Sequence, residues 1–324
     1  MTLTQVNQLA SPVAESKRDA LLSLLSMLDE MGYSFVTATP STHARVVARP
    51  TRQRAESVRD VLGWSLPFDR DLLPSALLDR LRAAEVVQEE GRLLRSAIRV
   101  SSVRGTLFIH SAYPTDSPDS VFLGPDSYRF AELILARMGA LPPGASVLDY
   151  GAGAGVGGIV AARNAAGSVL TLADINPKAL FLSSINATHG GVDHRPVEAT
   201  TPRDVPGSFD LIVTHPPFMI DRGRRAYRDG GDLYGGQLSL EWVLAGIEKL
   251  KPGGRLILHT GVSIVAGRDV LHEALRERLP AMGLEIDYRE LDPDIFGEEL
   301  DQQQYADVER IAAVGLVIRR TGDL

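Results

Sequence analysis

The 324-residue chain has no cysteine, which excludes disulfides and thiolate metal ligands and suits a cytoplasmic protein. No apolar run approaches the ~18 residues that a bilayer crossing requires, so no membrane span is expected. The N-terminal stretch lacks a basic region followed by an apolar core, so no secretory signal is read there. A surplus of positive charge is missing too: 34 Lys and Arg stand against 41 Asp and Glu, a formal net charge of −7. Nucleic-acid binders usually carry a basic footprint. None shows globally, which leaves only a local patch. Residues 1–120 are neutral, with 14 basic and 14 acidic residues, so the rest of the chain carries the whole excess.

What is present is a packed-core composition, 44% hydrophobic, in two differently patterned halves. From Lys17 to Met31 the apolar residues recur at helical spacing. "VRDVLGWSLPF" and "PSALLDRLRAAEVV" predict two more helices, and "RLLRSAIRVSSVRGTLFIHS" predicts short strands with alternating faces. Residues 1–115 are therefore read as a helical, winged-helix-like module, acting as a substrate-side or cap domain. "AYPTDSPDS", at 112–120, reads as the linker.

Residues 116–324 alternate strand and helix patterns, which predicts an α/β, doubly wound, mostly parallel sheet of Rossmann-like form. Ligands in such sheets bind beyond the carboxyl ends of strands. "VLDYGAGAGVGG" carries a strand into a glycine turn, and "FDLIVTHPPF" ends a strand on two prolines that cannot extend a ladder. "GAGVGG" satisfies the dinucleotide fingerprint, and Asp174 ends the next strand 21 residues after Gly153, where a carboxylate can accept both ribose hydroxyls. Asp149, on the strand before the glycines, would repel a pyrophosphate but attract the ammonium of a methionine moiety.

Taken in order, "VLDYGAGAGVGG", "LADINPKAL" and "FDLIVTHPPF" resemble the motifs of class I S-adenosylmethionine-dependent methyltransferases, over roughly residues 121–320. The subgroup is the one whose fourth motif reads (Asn/Asp)-Pro-Pro-(Phe/Tyr), here His-Pro-Pro-Phe. The resemblance implies S-adenosylmethionine as cofactor, with Asp149, Gly151 and Gly153 at its methionine part and Asp174 at its ribose. It also implies Ile175 against the adenine, Glu198 near the adenine amino group, and Ser127 and Tyr128 in a segment that closes over the cofactor. His215, Pro216 and Phe218 would be catalytic, and His215 would border the cofactor as well. In this family the first residue and a proline-region carbonyl orient the acceptor, and the aromatic ring stacks on it.

His215 departs from the pattern. An imidazole accepts a hydrogen bond and can also take a proton, which suits an acceptor that must lose one. Arg222, Arg224, Arg225 and Arg228 follow in a glycine-rich loop and point to an anionic substrate. Tyr227, Arg228 and Tyr234 are the substrate-binding candidates, with Phe296, Glu298 and Tyr305 in a later insert. His189 and His194, placed in a loop, and His259, assigned to packing, make no metal site. The expected function is methyl transfer to a nitrogen or oxygen of a small anionic metabolite. The alternatives are a protein glutamine of a translation factor, a ribosomal RNA base, and a cofactor-sensing regulator without catalysis.

Overall fold

The computed structural model describes residues 12–221, 223, 225, 227–279 and 283–322. The chain forms two compact units, Met1–Thr115 and Asp116–Leu324. In the first, α1 (Pro12–Glu30) and α2 (Pro40–Val47) precede α3 (Val58–Leu62) and α4 (Ser75–Ala83). Two antiparallel hairpins follow, β1 (Val87–Glu90) with β2 (Leu93–Ser96), and β3 (Ile98–Val103) with β4 (Thr106–Ser111). Leu21, Leu24, Leu25 and Leu28 recur one helical turn apart and are buried, which fixes the face that α1 presents to the core.

Three features of this unit depart from the sequence reading. Helix α2 was not expected, yet its start is written locally: Thr39 Oγ1 accepts the Thr42 N–H, and Pro40 follows at the first position. The helix expected through "VRDVLGWSLPF" stops at Leu62, and Ser65 takes a left-handed φ of 55°. The alternation expected in the strands holds in β2 but not beyond it: β4 is buried along its whole length and β3 at all but Ser102. Buried polar side chains bond one another there instead, since Ser101 Oγ lies 2.6 Å from Thr37 Oγ1 and 2.8 Å from His110 Nε2.

The second unit opens with α5 (Pro125–Arg137) and then alternates. The succession is β5 (Ser146–Tyr150), α6 (Val156–Arg163), β6 (Val169–Asp174), α7 (Pro177–His189), β7 (His194–Glu198) and β8 (Phe209–Thr214). It continues with α8 (Gln237–Glu248), β9 (Leu250–Val265), β10 (Arg268–Asp269), α9 (Val270–Arg278), β11 (Leu284–Asp292) and β12 (Val308–Arg320). The sheet order is β11-β12-β9-β8-β5-β6-β7, with β10 paired to β9. Strands β7, β6, β5, β8 and β9 run parallel, and β12 and β11 are antiparallel. This is the doubly wound, Rossmann-like sheet expected. His189 and His194 do not share a loop, because one ends α7 and the other opens β7.

Helix α6 neighbours both α5 and α7, and α8 neighbours α9. Leu148 and Tyr150 of β5 join the core cluster that includes Leu240, Val243 and Ile247 of α8 and Leu271 and Leu275 of α9. The period-2 pleat then turns Asp149 to the opposite face, toward α6. The strand order reverses between β5 and β8, where such sheets open a ligand crevice.

Gly157 lies inside α6, and a Cβ there would stand 2.4 Å from Phe130 Cε1. Phe130 cannot retreat: it is 3% exposed and its ring also abuts His215 and His259. Helix propensity alone would make Gly157→Ala stabilising by about 1 kcal/mol. We expect the opposite sign, a loss of about 1–3 kcal/mol from overpacking, read from the urea midpoint at unchanged slope.

Candidate active site

The register sets the end of each strand beside its neighbour. Tyr150 pairs with Ala173 and with Thr214, and Asp174 pairs with Glu198. The glycine turn, Asp174, Ile175, Glu198 and His215 therefore share one edge of the sheet. Thr214 Oγ1 donates to the Tyr150 carbonyl at 2.8 Å and closes β8 onto β5 just before His215.

The turn is held by carboxylates from two strands. Asp149 Oδ2 accepts the Gly158 N–H at 2.7 Å, and Asp174 Oδ2 accepts the Gly153 N–H at 2.9 Å. Asp174 Oδ1 accepts the Asn176 N–H at 2.8 Å. Burial raises the pKa of both acids, that of Asp149 to about 7, against the opposing effect of these hydrogen bonds. Gly151 has φ 70°, and a Cβ there would meet Trp242 Cζ3 at 2.5 Å. Gly153, with φ 53°, faces open space: a Cβ would find only the Gly151 carbonyl, at 3.9 Å. Ile175 is 53% exposed beside Asp174, an apolar surface left uncovered at a polar edge. Glu198 is exposed.

His215 lies one residue past the end of β8 and is half-buried. Its Nδ1 stands 2.8 Å from the His259 carbonyl oxygen, which can only accept, so Nδ1 carries the proton. Among the described residues nothing hydrogen-bonds Nε2, whose lone pair is then free in the neutral ring. Burial lowers the His215 pKa, while Asp126 and the His259 carbonyl act the other way. His259 is fully buried in β9, with its ring 4.8 Å from that of His215. It does pack, as its sequence position implied, but its backbone also fixes the tautomer of His215, and no residue pattern announces that. Asp126, 1% exposed at the start of α5, is held by Arg129 at 3.1 Å, and Arg129 also reaches Asp292 at 2.7 Å. Sequence reasoning passed over Asp126; its place in "GPDSYRF" was the available signal. Ser127 Oγ accepts the Gly124 N–H, an ordinary helix-start role.

The tetrapeptide and the loop after it differ from expectation in two respects. Phe218 is only 9% exposed, packed over Gly261 and against Phe296, so its ring is committed to the fold rather than open for stacking. The described arginines of the loop are neutralised by the protein itself. Arg225 binds Asp221 at 2.6 Å and lies over Tyr227, and Arg228 binds Glu299 at 2.5 Å. Asp221 is correspondingly held down to about pKa 2, chiefly by its hydrogen bond from Arg225. Arg222 and Arg224 lie outside the described residues. Tyr227 accepts from Arg225 Nη1, and Tyr234 donates to Asp307 at 2.5 Å. Tyr305 is buried, its hydroxyl accepting the Ile220 N–H at 2.7 Å.

Residues 129–260 match the model of the methyltransferase small domain. A relative named ribosomal RNA small subunit methyltransferase C, from Ectopseudomonas mendocina, is 30% identical over 118 residues, 32% of this chain and 35% of its own. A release factor glutamine methyltransferase from Deinococcus radiodurans is 28% identical over 157 residues, 47% of this chain and 55% of its own. The chain thus spans between about a third and about half the length of these relatives. A solved ribosomal protein L11 methylase from Lactobacillus delbrueckii subsp. bulgaricus is 20% identical, covering 62% of this chain and 81% of its own, with a TM-score of 0.43.

The donor set fits S-adenosylmethionine. Asp174 keeps lone pairs for ribose hydroxyls beyond its two backbone bonds, the space over Gly153 is open, and Ile175 is free to cover a flat ring. Asp149 supplies the titratable signature of the turn. A carboxyl whose folded pKa is raised from 3.8 contributes stability that is full at acid pH and fades as pH rises to about 7. Asp149→Asn keeps an oxygen for the Gly158 N–H but cannot ionise. Its melting temperature, relative to the parent chain, should therefore climb between pH 4 and 7, by the equivalent of a few kcal/mol. A constant difference across that range contradicts the assignment.

Proposed function

We propose that this protein is an S-adenosylmethionine-dependent methyltransferase that alkylates a nitrogen or oxygen atom which must shed a proton. The observation that carries this reading is the hydrogen bond from His215 Nδ1 to the His259 carbonyl. It leaves Nε2 as the proton acceptor at the end of the strand beside the glycine turn. The cofactor, when bound, supplies an electrophilic methyl group on sulfonium. The residues that would hold it are Gly151, Gly153, Asp174, Ile175 and Glu198, with Asp149 bracing the turn from beneath.

Pro216 and Pro217 fix the backbone after the strand, so acceptor groups there are preorganised. His215 Nε2 would take the acceptor's proton as that atom receives the methyl group, the carbon–sulfur bond of the sulfonium breaking and its electron pair staying on sulfur. The resulting imidazolium still donates from Nδ1 to the His259 carbonyl, and the nearby Asp126 charge favours it. A lowered pKa keeps His215 neutral, hence competent as a base, at pH 7.

The acceptor is carried on a macromolecule. The anionic metabolite rested on the basic loop, and Asp221 and Glu299 take up the charge of its described arginines. The names of the relatives give two carriers, ribosomal RNA and a release-factor glutamine. Tritiated S-adenosylmethionine, incubated with the enzyme and a cell extract, tests this reading. Label should enter a nuclease- or protease-sensitive fraction. Label confined to small acid-soluble compounds restores the metabolite, and none at all favours the sensing regulator.

Substitution separates the two nitrogens of His215. Asn retains an N–H near the His259 carbonyl but offers nothing at Nε2. We expect His215→Asn to bind the cofactor within about twofold of the parent and to lose at least about 100-fold in turnover. Unchanged turnover with an unchanged pH profile refutes the base role.

A further inference from the structure

The average charge of the N-terminal unit hides a concentration. Between residues 41 and 59 stand Arg45, Arg49, Arg52, Arg54 and Arg59, with Glu56 as the one acid. Arg45 in α2 and Arg49 just beyond its end are four apart and both exposed. Arg59 in α3 is exposed and lies over the Phe35 ring at 5.3 Å. Among the described residues these three make no ion pair. Arg54 pairs with Asp69 in a well-exposed contact, of the kind worth little in water. Arg52 pairs with Asp60, and its guanidinium lies 5.6 Å from the centre of the Trp64 ring.

The same patch holds a chain of rings. Phe35 meets Trp64 edge-on at 5.3 Å, Trp64 meets His43 at 5.2 Å, and His43 meets Tyr113 at 4.1 Å. Phe35 and His43 are buried, whereas Trp64 and Tyr113 are partly exposed. His43 Nε2 lies 3.0 Å from the Trp64 carbonyl, which ties α2 to the turn bearing Trp64. Two arginines thus rest on aromatic faces, and two partly exposed rings lie in the same patch as unpaired guanidinium groups. An acidic protein partner would need only the charges. A single-stranded nucleic acid uses both features, phosphates for the arginines and bases for the ring surfaces.

We propose that this arginine- and aromatic-bearing face of the N-terminal unit binds single-stranded RNA, with phosphates on Arg45, Arg49 and Arg59 and bases against Trp64 and Tyr113. The proposal deepens the methyltransferase reading by naming the carrier of the acceptor, and for that purpose it rests on that reading. Its test is separate, because binding is measured without cofactor.

Fluorescence anisotropy of the full chain with a labelled 12-nucleotide oligouridine, between 50 and 200 mM salt, reads the interaction. The parent chain should bind with a slope of about −0.7 per phosphate contact in log affinity against log salt. Arg45→Glu with Arg49→Glu alters two exposed side chains. It should weaken binding at least about tenfold and flatten the slope by about 1.4, with circular dichroism unchanged. Trp64→Leu reports on stacking, by a further loss at unchanged slope. No binding by the parent chain, an unaffected double variant, or equal displacement by polyglutamate each overturns the proposal. Cofactor calorimetry is indifferent to all of these outcomes, so failure here leaves the methyltransferase reading standing, and the reverse also holds.

Discussion

Everything at the candidate site depends on carboxylates accepting backbone N–H groups from one turn. A glycine turn after a strand has several backbone donors and no side chains to satisfy them. Asp174 takes the Gly153 N–H from the neighbouring strand, and Asp149 takes the Gly158 N–H from below. These bonds join β5, β6 and the first turns of α6 into one rigid edge. Burial makes each carboxyl costly to ionise, and the N–H groups offset part of that cost. Neither a lysine nor an apolar side chain could take either place. The left-handed conformations at Gly151 and Gly153 follow from the same geometry, because the chain must double back before α6 begins.

The second constraint is a single carbonyl. His259 lies in a central strand, and its oxygen is available to His215 because β8 ends at Thr214, before the prolines. That oxygen accepts only, so it decides which ring nitrogen keeps a proton. The result is a side chain able to receive a proton, where an Asn or Asp at this position could offer only hydrogen-bond acceptance or a weak base. The nearby network of Asp126, Arg129 and Asp292 adds charge without touching the ring in this structure.

The sheet and most of its helices were legible because strand and helix periods alternate cleanly after residue 120. The site edge was legible for the same reason: motifs at strand ends fall together once the sheet order is known. The N-terminal unit was less so. Helix α2 has only eight residues, too short for a clear apolar stripe, and its cap was the sole local signal. The buried polar residues of β3 and β4 mimic a solvent face, since Ser101, Thr37 and His110 satisfy one another out of sight. The arginine loop misled because sequence shows charge but not pairing. Asp221 is near in sequence, but Glu299 is brought by a connection some seventy residues later. The arginine patch near residue 50 was obscured in the opposite way, by averaging over 120 residues of balanced charge.

The central claim is that the glycine turn and Asp174 form an S-adenosylmethionine site and not a dinucleotide site. Isothermal titration calorimetry of the full chain with S-adenosylhomocysteine and with NAD, alongside Asp174→Ala, tests it most directly. The account predicts one-to-one binding of S-adenosylhomocysteine, lost in the variant, and no heat with NAD. Saturable NAD binding with none by S-adenosylhomocysteine would contradict it.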